Sequence, residues 1–265
     1  MQLDGRIALI TGAGSGIGRA LAIAAVAHGM TVALVGRRQE TLAETRTLLP
    51  YPARGIVHVA DINDAECRRR LRRDIGAAFG RLDLLVNNAG IQSVGRFESI
   101  GDDEIKDMAL TNLVAPMALT RCMLDLLRAA APSRVVNVGS MFGLIGFPLF
   151  SAYSATKFGL RGFSDALRRE LRDDGVGVTF AAPRATATAA MDGSKHLVKP
   201  FGMSVDRPEA VARRILNAVR RDARTVYPSG PERLFLLLQA LRPGFVDDAI
   251  AKQLRRVQPG PARSL

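Results

Sequence analysis

Three features of the 265-residue sequence predict an α/β fold, a doubly wound sheet of about seven parallel strands with helices on both faces. Short apolar runs recur, separated by helical segments of roughly ten to fifteen residues, which is the pattern of repeated βαβ units. Each run ends on glycine or a polar residue, at Thr11, Gly36, Asp61, Asn87 and Ser140, and parallel sheets take their ligands at the carboxyl ends of strands. At 48% hydrophobic the chain can bury one large core.

Composition removes several functional classes. No apolar run reaches transmembrane length and Met1–Arg6 lacks a secretory pattern, so a cytoplasmic protein is expected. Cys67 and Cys122 stand far apart and His28, His58 and His196 are scattered, so neither a disulfide framework nor a metal site is expected. The formal charge is +12, with Arg68, Arg69, Arg70, Arg72 and Arg73 on one predicted helix and further arginines over 207–224 and 242–263. Aromatic interleaving and nucleic-acid motifs are missing, so this basic surface reads as solvated rather than as a nucleic-acid interface.

Arg6–Ile10 reads as the first strand. Thr11-Gly-Ala-Gly-Ser-Gly-Ile-Gly18 follows, then an Ala/Leu-rich helix to about His28. Glycines at such a turn let the backbone approach a pyrophosphate, while the helix N-terminus offers N–H groups and positive dipole, so a nucleotide is expected; an ordinary tight turn is the plainer alternative. Thr31–Val35 is the second strand and ends at Gly36-Arg37-Arg38. An acid there would favour a free ribose 2′-hydroxyl, whereas arginine suits a 2′-phosphate, so NADP(H) is expected over NAD(H), with Arg37 the nearer partner and Arg38 beside it.

Gly55–Ala60 is the third strand, running into Asp61-Ile62 and the arginine helix. Leu82–Val86 is the fourth, followed by Asn87-Asn-Ala-Gly90. Arg134–Gly139 leads to Ser140, and Tyr153 and Lys157 follow at helical i, i+4 spacing, which puts phenol and ammonium on one face. A phenol with a reference pKa of about 10 is held more acidic by an adjacent positive charge. Tyr153 can then trade a proton with an alcohol or carbonyl oxygen to which Ser140 donates a hydrogen bond. By itself such a pair is ordinary surface cover; its company gives it weight. Val176–Ala182 is the sixth strand and ends in Pro183-Arg-Ala-Thr-Ala-Thr188.

Over about Gly5 to Thr188 these motifs, in this order, resemble the short-chain dehydrogenase/reductase family: TGAGSGIG at Thr11–Gly18, NNAG at Asn87–Gly90, Asn112, Ser140, and YxxxK at Tyr153–Lys157. The resemblance implies a Rossmann-like dinucleotide-binding and catalytic domain over residues 1–230. It implies Tyr153 as general acid/base, Ser140 as the residue orienting the substrate oxygen, Lys157 as the group that lowers the tyrosine pKa and holds the nicotinamide ribose, and Asn112 as part of a water-linked proton relay. Gly12, Gly14, Ser15, Gly16, Ile17 and Gly18 would cradle the cofactor, Asp61 and Ile62 would meet adenine, and Asn87, Ala89 and Gly90 would line its cleft. Pro183, Thr186 and Thr188 would flank the nicotinamide. Relatives usually carry glycine and valine where this chain has Arg184 and Thr186; Arg184 either pairs with an anionic group or points to solvent.

Residues 189–205 lack periodicity and are expected to form a substrate lid, with a plain surface loop as the alternative. Asp206–Arg221 reads as a helix and Arg224–Tyr227 as the seventh strand. Met141, Phe142, Leu144, Ile145, Phe147, Leu149 and Phe150 are expected to face the pocket, which suggests a hydrophobic ketone or alcohol. Over 231–257 two short amphipathic helices are expected, Leu234, Leu237, Leu238 and Leu241 sharing one face and Phe235 and Leu236 falling outside it. They would cap the pocket or seal an interface, with a peripheral contact to an anionic membrane as the alternative; residues 258–265 are expected to be a flexible tail. The resemblance implies a homodimer or homotetramer paired through the helices carrying Asn112 and Tyr153. The activity expected is NADP(H)-dependent interconversion of a carbonyl and a secondary alcohol. The alternatives are a non-catalytic NADP(H)-binding sensor or scaffold and a reductase of carrier-linked acyl substrates that meets an acidic carrier.

Overall fold

The computed structural model describes residues 1–230 and 232–257; the expected tail at 258–265 lies outside them. Seven parallel strands form one sheet in the order β3-β2-β1-β4-β5-β6-β7. They are β1 (Ile7–Thr11), β2 (Thr31–Gly36), β3 (Gly55–Val59), β4 (Leu84–Asn87), β5 (Ser133–Val138), β6 (Val176–Ala181) and the edge strand β7 (Thr225–Val226). β1 and β5 are buried along their whole length, as strands covered on both faces require.

The period of two sorts their side chains between two layers. Ala8 and Ile10 of β1 join Val32, Leu34 and Val86 beneath α1 (Gly16–Ala27) and α8 (Pro208–Arg220), with Leu42 of α2 (Gln39–Thr47) at the margin. Ile7 and Leu9 face the other way, onto α3 (Ala65–Phe79), α5 (Ala115–Ala129) and α6 (Ser151–Glu170) through Leu71, Ile75, Leu119, Met123, Leu127 and Leu167. Each such side chain contributes about 1.5–3 kcal/mol by burial, so either layer alone outweighs any single polar contact.

α3 explains where the arginine run goes. Asp64 caps its start by accepting from the Cys67 N–H at 2.6 Å, Gly80 ends it in the left-handed region, and only Leu71 and Ile75 are buried. The arginines lie on the remaining faces, where Arg69 and Arg73 pair with Glu66 and Arg72 with Asp125.

Between α4 (Asp102–Ala109) and α5 the chain makes a π-helical turn, Leu110–Val114, so the helical stretch runs unbroken over Asp102–Ala129. By length and composition this stretch could cross a membrane. Leu119, Met123, Leu126 and Leu127 instead pack against the sheet, which makes it a core helix. After β6 come α7 (Lys195–Val198), α8, and two C-terminal helices, α9 (Glu232–Leu241) and α10 (Pro243–Val257). Strand order reverses between β1 and β4, and the crevice at such a reversal is where this architecture holds ligands.

Candidate active site

The crevice begins with the turn after β1. Gly12 adopts φ +66°, a conformation L side chains avoid, and a Cβ on Gly18 would collide with the Gly12 carbonyl oxygen. These glycines let α1 start directly under the turn. The Ser15 side chain does not cap that helix, so its first N–H groups point outward unused by a cap.

The turn after β4 is fastened to the first. The Thr11 hydroxyl accepts from the N–H groups of Asn88 (2.9 Å) and Ala89 (3.0 Å), and the Asn88 amide donates to the Thr11 carbonyl at 2.9 Å. Thr11 was expected only as a strand end and Asn88 only as part of the NNAG motif, neither with a role of its own. Asn87, expected to line the cleft, turns its side chain inward to donate to Thr120 and Asn137 at 3.0 and 2.8 Å, and the cleft wall here is formed by Asn88, Ala89, Gly90, Ile91 and Gln92.

Asn112 sits in the π turn, buried, and grips the backbone of Ile91 from both sides. Its Oδ1 accepts from the Ile91 N–H and its Nδ2 donates to the Ile91 carbonyl, each at 2.8 Å, with Thr156 of α6 at 3.2 Å. A π turn inserted in a helix re-aims one side chain, here towards Ile91 and α6 at once.

Ser140 follows β5 and its hydroxyl accepts from the Phe142 N–H at 3.1 Å. Tyr153 and Lys157 project from the first turns of α6, and the Lys157 ammonium donates to the Val138 carbonyl at 3.1 Å while lying 5.5 Å from the centre of the tyrosine ring. Burial dominates both groups. It pushes the Tyr153 phenol up to about 12, with the Ser140 hydroxyl pulling the other way, and it brings Lys157 down to about 8. Burial thus opposes the acidification of the phenol expected from its lysine neighbour, because desolvation disfavours the charged form of both groups.

The cavity they share has a volume of about 590 Å³. Gly12, Ser15, Gly16, Ile17, Ala89 and Gly90 line it, as do Ser140, Tyr153, Lys157, Pro183, Thr186 and Thr188. Phe142 stacks on Phe147 at 4.8 Å, Phe147 meets Phe201 edge-on at 4.9 Å, and Phe150 and Tyr153 complete the aromatic set. Met141 and Ile145 also reach the cavity, whereas Leu144 and Leu149, expected there, pack into the core instead. Gly14, Gly18, Arg37, Arg38, Asp61, Ile62, Asn87 and Asn112 lie behind or beyond its wall.

The segment expected as a lid folds over this cavity through Met191, Val198, Phe201 and Met203, and α10 adds Phe245, Val246 and Ile250. Arg184 neither roams solvent nor stands free. It donates to Asp206 through Nε (3.1 Å) and Nη2 (2.8 Å), and Arg214 holds the other oxygen of the same buried carboxylate. Backbone bonds Ala187 N–H to Asp206 O (2.9 Å) and Asp206 N–H to Ala185 O (2.8 Å) complete a clasp that joins the two ends of this segment.

A fold and crevice of this kind define an NAD(P)-dependent oxidoreductase, and the comparisons give its family. Residues 6–197 match the family model for short chain dehydrogenases. The chain belongs to the short-chain dehydrogenase/reductase family. The ketoacyl reductase HetN of a Nostoc species is 32% identical over 219 residues, covering 82% of this chain and 76% of that protein. The crystal structure of a short-chain dehydrogenase from Streptomyces avermitilis is 31% identical, covers 98% of each chain and superposes with a TM-score of 0.78. One from Burkholderia cenocepacia, solved in complex with NADP, is 20% identical, covers 94% of this chain and 99% of its own, and shares the fold with a TM-score of 0.80.

Proposed function

We propose that this protein uses NADPH to reduce a hydrophobic ketone to a secondary alcohol, with Tyr153 as the general acid. The observation that carries this reading is the cavity itself: Ser140, Tyr153 and Lys157 line it together with the glycines of the turn after β1 and a set of aromatic rings. The cradle fits a dinucleotide, because the first N–H groups of α1 lack a side-chain cap beside a turn with no Cβ at Gly12 or Gly16. The exposed Arg37 and Arg38 at the end of β2, which no ion pair engages among the described residues, favour a ribose 2′-phosphate. When bound, that cofactor supplies the hydride.

The chain's own residues do the rest. Ser140 donates a hydrogen bond to the substrate oxygen. A phenol held near 12 keeps its proton until that oxygen gains negative charge, then gives it up. Lys157, with a pKa of about 8, is mostly charged at neutral pH and steadies the phenolate left behind. Asn112 fixes the Ile91 backbone and, through Thr156, the start of α6.

Tyr153→Phe should lower turnover by about 10²–10⁴-fold while NADPH affinity, read by fluorescence titration, changes less than about twofold. Retained turnover would remove Tyr153 from the reaction. Intact Asn112, Ser140, Tyr153 and Lys157 count against a non-catalytic sensor, which has no chemical need of all four. The ketoacyl reductase among the relatives favours an acyl substrate as the second reading; salt-sensitive kinetics with a carrier-bound ketoacyl group would select it. Leu110, Val114 and Met117, exposed in line on the π turn and α5, support a homodimer through that helix, to be checked by light scattering.

A further inference from the structure

α9 turns its apolar stripe the wrong way for a core helix. Leu234, Leu237 and Leu241 recur at helical spacing and are 57%, 54% and 70% exposed, while Leu236 is the residue that packs inward. Beyond Arg242, Phe245 of α10 is likewise 61% exposed. Phe235 and Phe245 also line the cavity, so the exposed patch is continuous with the cavity mouth. Exposed Arg242, Lys252 and Arg255 lie on or beside these helices against exposed Asp247 and Asp248, and the whole chain carries +12.

We propose that the α9–α10 face rests on an anionic lipid bilayer, and that a lipophilic substrate passes from the acyl phase into the cavity between Phe235 and Phe245. An amphipathic helix with an outward apolar side and basic flanks gains both from burying leucines at the headgroup boundary and from the negative surface potential. A second copy would bring a further strongly positive chain to the same place, so charge favours lipid over self-association. The entry route follows from the continuity of patch and cavity, which spares an apolar ligand from crossing water. It rests on the ketone-reductase reading only for what enters; lipid binding is measured without cofactor or substrate, so the two can fail separately.

The full chain, mixed with phosphatidylcholine–phosphatidylglycerol vesicles, is expected to float with them, less so in high salt and less with phosphatidylcholine alone. The double variant L237E/L241E, altering two side chains that do not line the cavity, should bind at least about tenfold more weakly. It should keep the thermal melt and the NADPH consumption of the wild type with a water-soluble ketone. Leu234→Gln gives a milder second test in the same direction. A wild type that stays at the bottom of the gradient, or a variant that floats equally well, would overturn the proposal. So would a drop in solution mass of the double variant, which would assign the face to a second copy of the chain.

Discussion

Lys157 is the residue whose environment makes the sharpest demand. Its pKa is about 8 in the folded chain against 10.5 for the free side chain, so between those values the unfolded chain binds more protons and stability rises with pH. Full release of this penalty is worth at most about 3 kcal/mol. Tyr153 works oppositely above 10, because the unfolded phenol ionises first while burial holds the folded one to about 12. Without cofactor, Tm should therefore climb from pH 8 to about 10 and then level or fall, and Lys157→Met should flatten the climb. Arg37→Ala should raise KM for NADPH by about 10–100-fold, the loss of a charge-assisted hydrogen bond, and leave KM for NADH nearly unchanged. Ser140, Tyr153 and Lys157 were legible in the sequence because a strand end and a helical i, i+4 spacing fix where side chains point. Thr11 and Asn88 were not, since their part lies in hydrogen bonds between two turns that meet only when β1 and β4 pair.

At the scale of elements, strands and helices were readable from alternation, and their ends shifted by only a residue or two. Periodicity does not say which side of a helix meets the core. The leucines of α9 make a stripe in the sequence, yet it is Leu236, outside that stripe, that packs against the cluster containing Phe180, while Leu237 stays 54% exposed. Arg184 was equally undetermined, since its partner lies twenty-two residues away across the lid. That clasp invites a substitution. Asp206→Asn leaves two guanidinium groups facing a neutral amide at a partly buried site, a loss of about 2 kcal/mol. Tm should drop by several degrees and KM for a bulky ketone should rise, with NADPH affinity unaltered; an equal change in both constants would mean that the clasp supports the whole crevice rather than the lid.

For the molecule as a whole, the division near residue 230 is testable by deletion. Removing residues 231–265 strips Phe235, Phe245, Val246 and Ile250 from the cavity wall. The truncated chain should still bind NADPH, which touches none of them in the proposed arrangement, but its KM for hydrophobic ketones should rise at least about tenfold through lost apolar contact. The same layout separates the two ligands along the sequence. All seven strands precede α10, the last panel of the substrate chamber, along the chain. The crevice is thus framed by the strands, while the wall for the other reactant is drawn partly from a later stretch, so the two ligands depend on separate parts of the sequence.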